Sequence, residues 1–209
     1  VLTNAIKDQI PLPSNPEQPR FNPVDGFIYQ MITDEDHANA NPAVLRIDPT
    51  KTGAAAIVAT FPLTAATVAN GIDIDPVTNT AILAGSGNGS HSLIDLSNGN
   101  ILAVFPNIDG ADQDQFNPNL RRWYTFGSNN NNSGVSCSAD STGAFPVAGV
   151  FAAPIFGGIA TIVGAECTGR NGSSGGVDPI NNDAYVAVRQ FPPDPNSATT
   201  GSPGVLVFH

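Results

Sequence analysis

The chain has 209 residues, is 41% hydrophobic and only 12% charged, and carries a formal net charge of −10. This much apolar surface builds one globular domain with a core, which excludes a disordered chain. The acidic balance excludes electrostatic binding to nucleic acid or anionic membranes, no apolar run approaches a membrane span, and 21 Gly with 18 Pro exclude long helices in favour of an all-β fold rich in turns.

In chain order, the first apolar pattern is Ile6-Lys7-Asp8-Gln9-Ile10-Pro11. A turn signal follows, Arg20-Phe21-Asn22-Pro23, and it recurs as Ile72-Asp73-Ile74-Asp75-Pro76, Gln115-Phe116-Asn117-Pro118 and Gly176-Val177-Asp178-Pro179. Asn or Asp before Pro starts a turn, because Pro presets φ and the short side chain bonds to nearby backbone. Each copy leads into an apolar run: Phe27-Ile28-Tyr29, Ala81-Ile82-Leu83, Trp123-Tyr124-Thr125 and Ala184-Tyr185-Val186. A repeat of strand, tight turn and strand at this period predicts a propeller or a solenoid.

Within each unit the apolar runs predict four antiparallel strands, a to d from the axis outward. The first unit has a near Phe21, b at Phe27–Thr33, c at Ala43–Asp48 and d at Ala55–Pro62. The second has Gly71–Asp75, Thr80–Ala84, His91–Leu96 and Asn100–Phe105. The third has a near Phe116, then Arg122–Phe126, Pro146–Ala152 and Ile159–Ala165. The fourth has Gly176–Asp178, Ala184–Arg189 and Gly204–His209, with no strand d of its own.

The outer strands Ile57–Pro62 and Ile101–Pro106 share the spacing and terminal Pro of residues 6–11. This predicts a single β-propeller domain over 1–209: four four-stranded blades at 12–62, 63–106, 107–165 and 166–209, closed by residues 1–11 as the outer strand of the last blade. The alternative is a fragment of a six- or seven-bladed propeller, which would show the same pattern.

Chemistry is expected where the b–c and d–a connections emerge, since those are long and polar. They include Asp34-Glu35-Asp36-His37, Asn88, Asn129–Asn132, Asp194-Pro195-Asn196, Asn70, Asp109, Asp112, Asp114 and Arg170. Asp109-Gly110-Ala111-Asp112-Gln113-Asp114 does not fit the EF-hand spacing and is expected to be a solvated loop. Cys137 and Cys167 are expected beside the same blade, where a disulfide would pin a loop without an apolar anchor. Three sequons, at Asn88, Asn131 and Asn171, together with a start at Val1, suit a secreted or periplasmic chain. The histidines His37, His91 and His209 are too scattered for zinc, and Trp123 and Tyr124 are expected in the core.

Six residues before each repeat proline stand Glu17, Asn70, Asp112 and Ser173. The first three are oxygen donors at one repeat-equivalent position, the donor set that a hard divalent cation such as Ca²⁺ prefers. The surrounding residues, Glu17-Gln18-Pro19-Arg20-Phe21-Asn22-Pro23, Asn70-Gly71-Ile72 and Asp112-Gln113-Asp114, resemble the Glu, Asn and Asp motifs of the gluconolactonase and senescence-marker-protein (regucalcin-like) group. In repeat pattern the chain is also similar to NHL- and YVTN-like propellers. The resemblance implies a propeller with one divalent cation held by Glu17, Asn70 and Asp112, and a metal-dependent lactonase activity. The third motif lacks the Gly and Met of that group. The residues themselves favour a binding or structural module with a protein or carbohydrate ligand on the long-loop face, over a hydrolase.

Overall fold

The computed structural model describes residues 6–33, 42–63, 69–85, 91–105, 108–130, 147–152, 161–168, 172, 174–188 and 203–209. They form four antiparallel sheets in chain order. The first contains β1 (Asn15–Phe21), β2 (Ile28–Thr33), β3 (Ala43–Ile47) and β4 (Ile57–Pro62), with a short 3-10 turn at Gly53–Ala56 before β4. The second contains β5 (Ala69–Asp75), β6 (Thr80–Gly85), β7 (His91–Asp95) and β8 (Ile101–Phe105). The third contains β9 (Ile108–Asn117), β10 (Arg122–Asn130), β11 (Val147–Ala152) and β12 (Thr161–Cys167). The fourth contains β13 (Ser174–Asp178), β14 (Asp183–Val188) and β15 (Gly204–Phe208).

The repeated turn works as its residues dictate. In all four sheets the Asn or Asp before Pro accepts a bond from the N–H two residues on: Asn22 from Val24, Asp75 from Val77, Asn117 from Asn119 and Asp178 from Ile180. Three residues after the proline the chain enters the left-handed region, at Gly26, Asn79, Arg121 and Asn182. From there the next sheet reaches back. Asn22 donates to Asn79 at 2.8 Å, Arg121 pairs with Asp75 at 2.5 Å, and Asn117 donates to Asn182 at 3.2 Å. One turn type therefore closes each strand pair and ties each sheet to its successor.

The core lies between successive sheets. Tyr29, Met31, Val44 and Phe61 pack on Ile72, Leu83, Ile94 and Leu96; Ile82 and Leu93 pack on Ile108, Trp123 and Phe151; Tyr124, Phe126 and Ala148 pack on Ala184, Val186 and Val188. Trp123 is fully buried and Tyr124 nearly so, as their strand position led us to expect. The main contacts follow the same order, β1 and β2 with β5, β5 and β6 with β9, and β9 and β10 with β13, so each sheet packs on its successor.

Two expectations are corrected. Residues 6–12 carry no strand: Ile10 and Leu12 pack against Ile32, Leu45 and Ile47 of the first sheet, and Asp8 accepts a bond from the Gly53 N–H at 2.7 Å. The fourth sheet has three strands among the described residues, and Ile6–Pro11 carry no strand; residues 1–5 of the expected closing strand lie outside the described residues. The shared spacing misled, because Lys7, Asp8 and Gln9 replace the β-formers found in the outer strands. The stretch 109–114 is not a solvated loop but part of β9, where Asp109 stands opposite Asn129 and Asp114 opposite Thr125. Asp and Asn have low strand propensity, and here tertiary pairing overrides it.

Candidate functional site

Glu17, Asn70 and Asp112 lie within the inner strands β1, β5 and β9, not in the loops before them. Each opens a β-bulge. Residues 17 and 18 are inserted where the ladder passes from Pro16 opposite Ile32 to Pro19 opposite Gln30. Residues 70 and 71 are inserted between Ala69 opposite Gly85 and Ile72 opposite Leu83. Residues 112 and 113 are inserted between Ala111 opposite Gly127 and Asp114 opposite Thr125. The same irregularity, two residues against one, thus recurs at one repeat position in three successive sheets. A bulge interrupts the ladder and re-aims side chains, which is why bulges gather beside active sites.

The bulges meet one another. The Gln18 side chain donates to the Asp112 carbonyl at 3.3 Å, joining the first inner strand to the third. A Cβ on Gly71 would stand 2.6 Å from that same carbonyl, so only glycine lets β5 approach β9 this closely. Gln30 donates to the Glu17 carbonyl at 2.7 Å and steadies the first bulge from within its sheet. Glu17 and Asn70 are half-buried and Asp112 is exposed, so the bulged positions reach solvent. Among the described residues no three of His, Cys, Asp and Glu gather as metal ligands; the bulge set has two carboxylates and an amide.

Further along the inner strands, charge is partnered. Arg20 pairs with Asp73 at 3.1 Å, and the Phe116 N–H donates to the other Asp73 oxygen at 2.6 Å, linking β1, β5 and β9. Burial pushes the Asp73 acid up, against the pull of the Phe116 N–H and Arg20. His91 Nδ1 lies 3.4 Å from Asp114 Oδ2, and both side chains are sealed from solvent. Burial raises the Asp114 acid, with His91 opposing. On the same face, His91 Nε2, Asp114 Oδ1, Trp123 Nε1 and Thr125 Oγ1 are buried without a hydrogen-bond partner. This pair lies between the second and third sheets and touches no open surface.

Sequence reasoning missed the bulges, which leave no residue-type signature, and the His91–Asp114 pair, which joins residues 23 positions apart on different sheets. Cys167 ends β12, and no free cysteine occurs among the described residues. Asp34–His37, Asn88, Asn131, Cys137, Asn171 and Asp194–Asn196 lie outside the described residues. His209 sits on the exposed end of β15, 2.7 Å from Asp183.

No protein-family model matches the chain, and no curated protein matches it. Solved structures do. Hydrazine synthase of Kuenenia stuttgartiensis is similar at 15% identity with a TM-score of 0.71, over 98% of this chain and 54% of that one. A structure described as a putative 6-phosphogluconolactonase from Bacteroides fragilis is similar at 14% identity with a TM-score of 0.57, over 91% and 53%. A nidogen/laminin complex gives 14% and 0.53, over 83% and 56%. The likeness is one of fold, an all-β and propeller-like array, and the chain spans about half the length of these structures.

Proposed function

We propose that the chain is a binding module on a propeller-like array, and that a divalent cation, Ca²⁺ foremost, is held where the bulges of the inner strands converge. The carrying observation is that Glu17, Asn70 and Asp112 each open the same two-against-one bulge. In a regular strand each of these side chains would stand perpendicular to its own sheet; a bulge re-aims it. Two carboxylates and an amide suit a hard cation, and the 6–8 oxygens it wants leave places for water or for ligand oxygens. A carbohydrate or an acidic protein surface would supply those oxygens.

The sheets, on this reading, are consecutive blades. Successive sheets pack on one another, and Gln18 of the first sheet also reaches Asp112 of the third across the inner strands, as blades around a common centre do. Secretion, glycans on Asn88, Asn131 and Asn171, and a Cys137–Cys167 disulfide are proposals from the sequence; mass spectrometry of the native protein before and after reduction tests the last two.

The second reading is a metal-dependent lactonase, favoured by the description of the Bacteroides structures as putative 6-phosphogluconolactonases. Such chemistry needs a general base within reach of a metal-held substrate. The acid–base pair nearest the bulges, His91 and Asp114, is sealed from solvent, which weighs towards binding. Calorimetric titration of Ca²⁺ into chelator-treated protein tests the common element. One site is expected in the wild type, weakened at least ~10-fold in Asp112→Asn, since one charged ligand is worth about 1.4 kcal/mol or more. No heat of binding in either protein would remove both readings.

A further inference from the structure

The turn end of the inner strands, away from the bulges, carries a second repeated feature. Val24, Val77 and Ile180 each follow the repeat proline and are 67%, 78% and 85% exposed. In the third sheet Asn119 takes that place, and the exposed aliphatic is its neighbour Leu120. Turn chemistry favours Gly, Asn, Asp or Ser here, and a β-branched side chain gains nothing from the turn itself. A single exposed aliphatic is ordinary; one in each of four sheets at the same turn is not. The backbone of each is fixed, since the N–H of Val24, Val77, Leu120 and Ile180 is held by the Asn or Asp that opens the turn. Bonds between turns, such as Asn22 to Asn79 and Asn119 to the Pro179 carbonyl, hold the turns at set spacings.

Beside three of the four stands a carboxylate that no cation pairs with. Asp25 follows Val24, Asp178 opens the turn of Ile180, and Asp95 begins the turn whose Leu96 N–H bonds to Asn79 in the turn of Val77. Asp25 accepts from the Phe27 N–H and the Tyr29 hydroxyl, Asp95 from Ser97 and Asn98, and Asp178 from Ile180 and Asn181. All of these donors are neutral, and none of the three carboxylates forms an ion pair among the described residues. The turn end thus repeats an exposed aliphatic with a carboxylate next to it.

We propose that this turn face docks a basic amphipathic segment of another protein, one whose aliphatic side chains are interleaved with Lys or Arg. The aliphatic contacts supply affinity, and the carboxylates select a cationic partner. Because the turns are already fixed, docking orders little backbone on this side. A second copy of the chain is the wrong partner: two copies meeting on this face would set carboxylate against carboxylate, in chains of −10 each. The face lies at the other end of the inner strands from Glu17, Asn70 and Asp112, so docking there is independent of a cation at the bulges.

Fluorescence anisotropy of a labelled Leu/Lys peptide that forms a basic amphipathic helix tests this, with an all-Lys peptide of equal charge as its control. The full chain is expected to bind the first peptide, equally well in chelator, and the second at least ~10-fold more weakly. Val24→Ser, Val77→Ser and Ile180→Ser together are expected to cost at least ~10-fold in affinity for the first peptide. Their circular dichroism melt should match the wild type, since all three side chains are exposed. Val58→Ser with Val104→Ser, exposed on the outer strands, is expected to bind as the wild type does. Ile180→Lys, a single change at the most exposed of the sites, should also weaken binding, and it decides the matter if the triple variant fails to fold. No binding, equal affinity for the two peptides, or a triple variant that binds as the wild type does overturns the proposal. So does an outer-strand variant that loses as much as the triple variant. A wild type whose mass by light scattering rises with concentration, while that of the triple variant does not, means that a second copy occupies the face, which overturns the partner assignment.

Discussion

The two ends of the inner strands use the same kinds of residue for opposite purposes. At the turn end, Asn22, Asp75, Asn117 and Asp178 each accept a local N–H, and the first three also engage the following sheet. At the bulged end, Glu17, Asn70 and Asp112 stand where the ladder is interrupted. Side-chain type does not separate the two sets; register does. A side chain that closes a turn is consumed by its own backbone, whereas one at a bulge stands where the ladder is interrupted. The comparison predicts that damage at the turn end costs stability and damage at the bulged end costs binding.

The largest effect is expected at Asp75, which is buried and serves Val77, Thr78 and Arg121 together. Asp75→Ala strands the guanidinium and breaks the turn, and urea unfolding should show a loss on the order of 3 kcal/mol. A loss no larger than that of an ordinary surface substitution would break the comparison at its strong end. Asn117→Ala removes neutral bonds from Asn119 and Leu120 and to Asn182. A smaller cost, about 1–2 kcal/mol, is expected in the same assay.

The buried pair beyond the bulges adds a signature in pH. Burial raises the Asp114 acid, so the fold keeps this proton at pH values where the unfolded chain has lost it. Below the ordinary Asp value, about 4, both states are protonated and nothing is lost; as pH rises through it towards the raised folded value, stability falls. Asp114→Asn cannot ionise and should escape that fall. Thermal melts of the two proteins from acid to neutral pH should therefore diverge as pH rises, and parallel curves would mean that Asp114 carries no buried charge.

Much of this was legible in the sequence. The four Asx-Pro signals located every inner turn, and apolar runs gave the b, c and d strands of the second sheet to within a residue or two. Counting back from the repeat proline found Glu17, Asn70 and Asp112 without any knowledge of the bulges. What stayed hidden depends on pairing. The strand character of Ile108–Gln113 comes from β10 opposite, against the propensity of its Asp and Gly residues. Arg121 in a left-handed turn resembles any surface arginine until Asp75 of the preceding sheet is found beside it. Ile6–Pro11 has an outer strand's spacing but sits on the first sheet, because apolar spacing does not say which sheet a segment will join.

The central claim is tested most directly by melting the protein in chelator and in excess Ca²⁺, with Asp112→Ala beside the wild type. A ligand that binds only the folded state adds ~2.7 kcal/mol at a hundredfold excess over Kd, so the wild-type midpoint should rise by several degrees. Asp112→Ala, compared with its own midpoint in chelator, should gain nothing from Ca²⁺. A wild-type midpoint indifferent to both chelator and Ca²⁺, or an Asp112→Ala protein that responds as the wild type does, would contradict the account.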